Sequence, residues 1–181
     1  SYWRADKTKA ALQRIYGTAF FTAQELQAFE TQRFEAAQYD HRKLGRELDL
    51  FSFHEEGVGF PFFHPHGKTV LNVLTQYLRK KLAHAEYLEI STPIMLTDEL
   101  WKQSGHYEHY KKNMYFCEID EMSYAVRPMN CPGSILVYRT RPRSYRELPL
   151  RLSEFGLVHR FELSGVLHGL MRVRSFTIDD G

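Results

Sequence analysis

Cysteine is scarce in this sequence: Cys117 and Cys131 are the only two in 181 residues. A chain that is 43% hydrophobic can build a core without a covalent staple, so both read as thiols and a reducing, cytoplasmic compartment is the expectation. Any run of about 18 apolar residues is also lacking, which argues against a membrane-spanning helix. The opening "SYWRADKTKAALQ" is too polar for a secretory signal. Lysine is missing from Asn113 onward, where nine arginines carry the strong positive charge. Arginine presents a planar fork that grips carboxylate or phosphate through two bonds and does not lose its proton. The bias fits anion recognition, and equally a basic surface that touches nucleic acid without specificity.

What is present divides into helices and short strands. "FTAQELQAF" places Thr22 and Glu25 at capping-box spacing, with Phe21 and Leu26 as a staple. The helix it starts is expected to run to about residue 50. "GFPFFHPHG" reads as an aromatic strand ended by Pro65 and Gly67. In the segment after it Val70, Leu71, Val73, Leu74, Leu78 and Leu82 recur at helical spacing. "EYLEISTPIML" is a strand broken at Pro93, followed by a short helix capped by Thr97. "NMYFCEID" and "MSYAVRPMN" flank the turn Asp120-Glu121 as a hairpin. Pro132 suits the first turn of a helix, which puts Cys131 at or just before a helix N-terminus. "LPLRLSEFGLVHRFE" and "LMRVRSFTIDD" are two strands around "LSGVLHG", where Gly165 and Gly169 turn the chain. Short loops between consecutive strands imply an antiparallel sheet, and helices at long intervals make the class α+β.

The last hairpin carries the most chemistry. Alternation in a strand puts Arg160 and Glu162 on one face, and Arg172, Arg174, Phe176, Ile178 and Asp180 on one face of its partner. Such a face is either a solvated surface laced with cross-strand ion pairs or a ligand site. Phe176, an aromatic ring amid charges, favours a flat, anionic ligand: a nucleotide would take arginines on its phosphates, Phe176 under its base and Glu162 on an exocyclic amine.

These segments resemble the threonyl-tRNA synthetases, a family of class II aminoacyl-tRNA synthetases. "HRFE", containing Arg160 and Glu162, resembles the arginine-x-glutamate of motif 2. "LEISTP", ending at Pro93, resembles motif 1, whose strand and preceding helix form the dimer interface in that class. "RPMNCPG" is similar to the threonyl signature, and "DHRKLGRELDLF", "LPLRLSEFGLVHR" and "SGVLHGLMRVRSFT" are similar to further family segments. The resemblance covers nearly the whole chain and implies an organisation. Residues 1–20 would be the end of the region joining an editing domain to the catalytic one, residues 21–50 a linker helix, and residues 51–181 the N-terminal part of a class II catalytic domain. That fold is an antiparallel sheet flanked by helices.

The resemblance also implies roles. Threonine and ATP, with Mg2+, would give threonyl-adenylate and pyrophosphate, and the threonyl group would pass to the 3′ end of tRNA(Thr), with homodimerisation through motif 1. Arg160 would hold the α-phosphate and the threonine carboxylate as the catalytic residue. Glu162 would accept from the adenine amine, Arg172 meet the terminal phosphate and Phe176 stack on adenine. Met129 and Asp180 would border threonine, Asp180 near its hydroxyl. Cys131 would be one protein ligand of a zinc ion completed by two histidines, with the helix N-terminus favouring its thiolate. Zinc that ligates the threonine hydroxyl would reject valine. The second histidine is expected immediately after Gly181, with the third and the motif 3 arginine farther on, so the 181 residues are expected to be part of a longer chain.

The remaining histidines are weighed separately. His64 with His66, and His106 with His109, read as structural or substrate-facing loop residues rather than metal ligands. His168 would meet the tRNA acceptor end, His159 would face packing, and Cys117 would be buried and inert. The alternative to an enzyme is a non-catalytic, synthetase-like module that binds tRNA or a protein partner.

Overall fold

The computed structural model describes Thr8, Leu12, Gln13 and residues 15–181. The expected end of a preceding region at residues 1–20 thus lies largely outside the described residues. The chain forms two compact units, Ser1–Asp40 and His41–Gly181.

In the first unit, helix α1 (Ala23–Gln38) opens with the anticipated capping box: Glu25 N–H donates to Thr22 Oγ1 at 3.2 Å, and the Glu25 carboxylate accepts from Thr22 N–H at 3.3 Å. The staple is not made. Phe21 is fully exposed and Leu26 largely so; instead Phe20 packs on Phe29 with ring centroids 5.0 Å apart. The helix also does not reach residue 50. It ends at the Tyr39 cap, and α2 (His41–Glu47) starts separately.

The second unit holds three small sheets. Strands β1 (Phe51–Ser52) and β2 (Phe62–Phe63) pair antiparallel. Helix α3 (Pro65–His84) follows at once, so Pro65 and Gly67 begin a helix rather than end a strand. Proline tolerates the first turn because its missing N–H has no partner there. Gly67 is required because the Leu50 carbonyl occupies the space a Cβ would fill. Strand β3 (Leu88–Glu89) pairs parallel with β7 (Leu152–His159), which pairs antiparallel with β8 (Ser175–Asp180). The sheet is therefore mixed where an antiparallel one is expected, because α3 and the chain after it return β3 alongside β7 in the same direction.

Strands β4 (Met95–Thr97), β6 (Met122–Val126) and β5 (Tyr115–Ile119) form the third sheet. The β5–β6 turn is the anticipated Asp120-Glu121 pair, both at positive φ (51° and 60°), as a two-residue primed turn requires. Helices α4 (Asp98–Gln103) and α5 (His106–Tyr110) close over it, burying Trp101 with Met114 and Ala125. Thr97 is the cap residue of α4, but its side chain makes no capping bond. Helix α6 (Cys131–Tyr138) begins at Cys131. No helix among the described residues is long and apolar enough to cross a membrane.

A buried ion pair joins these parts. Arg127 Nη1 donates to Glu154 Oε1 at 2.8 Å and to Thr92 Oγ1 at 2.6 Å, while Arg127 Nε donates to the Leu157 carbonyl at 2.8 Å. Glu154 also accepts from Thr92 N–H at 2.9 Å. The two charged side chains are 4% and 3% exposed, so neither charge has water to fall back on. Breaking such a pair from one side costs about 3–5 kcal/mol. Arg127→Met should lower the unfolding free energy by that order in urea titrations; a loss under 1 kcal/mol would show that Glu154 and Thr92 hold the segments without it.

His159 closes the same region, its N–H donating to the Arg127 carbonyl at 3.0 Å. Burial, helped by the Arg127 charge, holds its imidazole pKa below the ordinary value. The unfolded chain therefore binds the proton more readily, and stability falls as pH drops from about 6.5 towards the lower folded pKa. His159→Gln should flatten that part of the stability curve between pH 7.5 and 5.5. An identical pH dependence in both proteins would assign it to other groups.

Candidate functional site

The strands bring most of the singled-out residues together, though not by simple alternation. Opposite pairs in the β7–β8 ladder are Glu154 with Asp180, Gly156 with Ile178 and Val158 with Phe176, so Phe176, Ile178 and Asp180 share a face. A side chain at Gly156 would run into the Asn130 amide. The missing side chain lets the "RPMNCPG" segment lie directly on this face, with Asn130 1% exposed. Gly133 is required in the same way by Thr92.

Both strands end before the arginines, at His159 and Ser175, and one further bond, Arg160 N–H to the Arg174 carbonyl at 2.9 Å, extends the pairing. The Arg160 guanidinium lies over the Phe176 ring, 5.1 Å from its centroid, and its Nε donates to the Pro128 carbonyl at 3.1 Å. It is thereby tied to the segment that carries Met129 and Cys131, with its terminal nitrogens available to a ligand. Arg172 donates from Nη2 and Nε to Glu162 Oε2 at 2.9 and 3.1 Å. These four residues, with Leu170, Met171 and Val173, line an open cavity of about 440 Å3.

Arg174 is the exception among the alternating residues. Its guanidinium donates to the Glu162 carbonyl at 2.8 and 3.0 Å and to the Val58 carbonyl at 3.0 Å, and stands over Phe161. It is a loop clamp outside the cavity. Alternation fails because residues 172–174 precede the strand and turn independently of its pleat.

Cys131 occupies a second, smaller cavity of about 280 Å3 with His106, Leu100 and Ile135. Its Sγ lies 3.7 Å from His106 Nε2. Reading His106 beside His109 hides this pairing, since 25 residues separate His106 from the thiol and no local spacing signals it. The expected thiolate is not favoured on balance: desolvation first and the Asp180 charge second raise the Cys131 pKa above the ordinary thiol value, outweighing a backbone hydrogen bond that lowers it. The residue is exposed overall. Among the described residues no group of three His, Cys, Asp or Glu side chains is placed to hold a metal ion. Met129 is half-buried next to this cavity in sequence, and Cys117 is half-buried rather than enclosed.

His168 is exposed in the loop between the strands, its backbone bridged to Arg172. His64 is structural, bonding Asp49 at 2.6 Å and Ser52 at 2.8 Å.

Comparison with known proteins matches these parts to one family. Residues 115–181 match the family model for the tRNA synthetase class II core domain (G, H, P, S and T). The chain is 61% identical, over 99% of its length, to the threonine–tRNA ligase of Clostridium botulinum strain Langeland, and spans 28% of that relative. It superposes with TM-score 0.75 and 42% identity on the RNA binding domain of threonyl-tRNA synthetase from Cryptosporidium parvum, covering 77% of this chain and 35% of that one. Giardia lamblia prolyl-tRNA synthetase shares the fold, with TM-score 0.68 at 20% identity over 75% of this chain and 28% of that one. Over nearly all its residues, then, the chain is similar to threonyl-tRNA synthetases, of which it spans about a quarter to a third, and it has the class II tRNA synthetase core fold.

Proposed function

We propose that the protein is a threonine–tRNA ligase acting in protein biosynthesis: it condenses threonine with ATP to threonyl-adenylate and pyrophosphate, then transfers the threonyl group to the 3′ end of tRNA(Thr). The observation that carries this reading is the cavity in which Arg160, Glu162, Arg172 and Phe176 converge, in a chain 61% identical to a threonine–tRNA ligase.

In the first step the threonine carboxylate oxygen attacks the α-phosphorus, the bond to the bridging oxygen breaks, and pyrophosphate leaves with that electron pair. The carboxylate is already ionised, so no general base is needed, and positioning and charge stabilisation dominate. Arg160 suits the α-phosphate because the Pro128 carbonyl takes its Nε and the Phe176 ring lies against its guanidinium, which would leave its terminal donors for a ligand. Glu162 receives both Arg172 bonds on Oε2, leaving Oε1 for the adenine amine. Arg172, more than half exposed, reaches for the terminal phosphate. Phe176 gives adenine a face to stack on. Mg2+ enters as part of the ATP substrate.

Threonine would lie between Met129 and Asp180. Zinc is a finer expectation: Cys131 alone would belong to such a site here, and a zinc centre needs three protein donors. The described residues do not by themselves fit it.

Homodimerisation is supported by an exposed apolar stripe. On α3, Val70, Val73, Leu74 and Tyr77 recur at helical spacing and are 52–63% exposed, with Leu88 of β3 62% exposed beside them in sequence order. Val73→Glu with Leu74→Glu should convert a dimer to a monomer in light scattering on the full-length protein; an unchanged mass would place the interface elsewhere.

The reading is tested by threonine-dependent ATP–pyrophosphate exchange in the full-length protein. Wild type should show it, and Arg160→Gln should lower kcat/KM by about 100-fold or more, the loss seen when a preorganised donor is removed. A folded wild type without exchange would instead support a non-catalytic module.

A further inference from the structure

The loop after β7 carries Arg172 to the nucleotide cavity, yet residues 163–171 are mostly exposed and irregular. A side chain from far earlier in the chain reaches into it. His41, the first residue of α2, accepts a hydrogen bond at Nε2 from Leu170 N–H at 3.0 Å, across 129 residues. That bond requires the tautomer with its proton on Nδ1. The adjacent Gly169 has φ +49°, and a side chain there would collide with the His41 ring and with Arg42. His41 in turn stacks on Phe51, with centroids 6.4 Å apart and planes 22° from parallel, and meets His168 edge-on.

The bonded residues sit inside a tight turn. His168 N–H donates to the Arg172 carbonyl and Arg172 N–H to the His168 carbonyl, both at 3.2 Å. Gly169 and Leu170 are therefore enclosed between the His41 ring and the residue whose guanidinium lies on Glu162. Fixing Leu170 fixes the turn, and the turn aims Arg172.

We propose that His41 is a positioning residue for nucleotide binding: by accepting from Leu170 N–H it holds the His168–Arg172 turn so that Arg172 meets the ATP phosphates without rearrangement. This rests on the reading of the cavity as an ATP site. Because Arg172 touches the phosphates in the bound ground state as well as later, loss of the bond weakens ATP binding more than it slows chemistry.

The test is ATP–pyrophosphate exchange in the full-length protein with two complementary variants. His41→Phe keeps a ring on Phe51 and removes the acceptor; His41→Gln loses the ring and places an amide oxygen near the former Nε2. His41→Phe should raise KM for ATP about five- to tenfold, the size of one hydrogen bond, with kcat within twofold and KM for threonine unchanged, while His41→Gln should return KM for ATP to within twofold of wild type. An unchanged KM for ATP in His41→Phe, equal impairment of both variants, or a fall in kcat alone would overturn the proposal. If His41→Phe does not fold, Gly169→Ala crowds the same bond from the loop side: it should raise KM for ATP, and a wild-type value would equally overturn it. A wild type without exchange defeats the ATP-site reading and this proposal together. An active wild type with indifferent variants defeats only the role of His41.

Discussion

Arg127 is the residue on which the rest of the second unit hangs. Its guanidinium meets Glu154 and the Leu157 carbonyl of β7 and the Thr92 hydroxyl beyond β3, while its backbone N–H donates to the Ile94 carbonyl at 2.9 Å and its carbonyl accepts from His159. Through its side chain and its own backbone, one residue thus joins five others on the chain. The worth of such a pair lies less in net stability, since burying two charges costs nearly what their attraction returns, than in the single arrangement that satisfies every donor. Any slip of β3 against β7 would strand a buried charge.

Geometry at the site follows from that anchor. "RPMNCPG" starts at Arg127, and the two glycines that let it lie flat are set against Thr92 and Asn130. The Pro128 carbonyl, one residue past the anchor, then receives Arg160. The Arg160 end of the cavity is consequently built on buried, multiply bonded backbone. The Arg172 end is built on an exposed loop that depends on a few distant contacts, of which the bond to His41 is the longest in sequence. Under the proposed function, rigid placement at the first end with an adjustable arm at the second would suit a reaction governed by positioning.

How much of this is readable in the sequence depends on the range of the interaction. The Thr22 capping box, the Asp120-Glu121 turn and the helix beginning at Cys131 are set by residues within three or four positions, and the structure has all three. Resemblance to a family picks out Arg160, Glu162, Arg172 and Phe176, which do converge. Periodicity misplaces Arg174 because the strand begins only at Ser175. It runs α1 too far because the charged pattern at 30–51 carries no strong breaker, and the stop at Tyr39 is a backbone event. Pairings such as His41 with Leu170, His106 with Cys131 and Arg127 with Glu154 span 129, 25 and 27 residues, so no local spacing could announce them.

The apolar stripe on α3 belongs to the same mechanical frame. Arg79, two residues beyond the end of the stripe, donates two hydrogen bonds to the Glu89 carboxylate of β3 at 2.6 and 2.7 Å and lies over the ring of Phe155 in β7, 5.1 Å from its centroid. A surface that covers Val70, Val73, Leu74 and Tyr77 therefore presses on a helix already pinned to β3 and to the residue of β7 next to Glu154. Three residues past Glu89 comes Thr92, the partner shared by Glu154 and Arg127. A second subunit on α3 would thus restrain β3 from outside while the buried pair restrains it from inside, and the register that places Arg160 over Phe176 would be held from both sides.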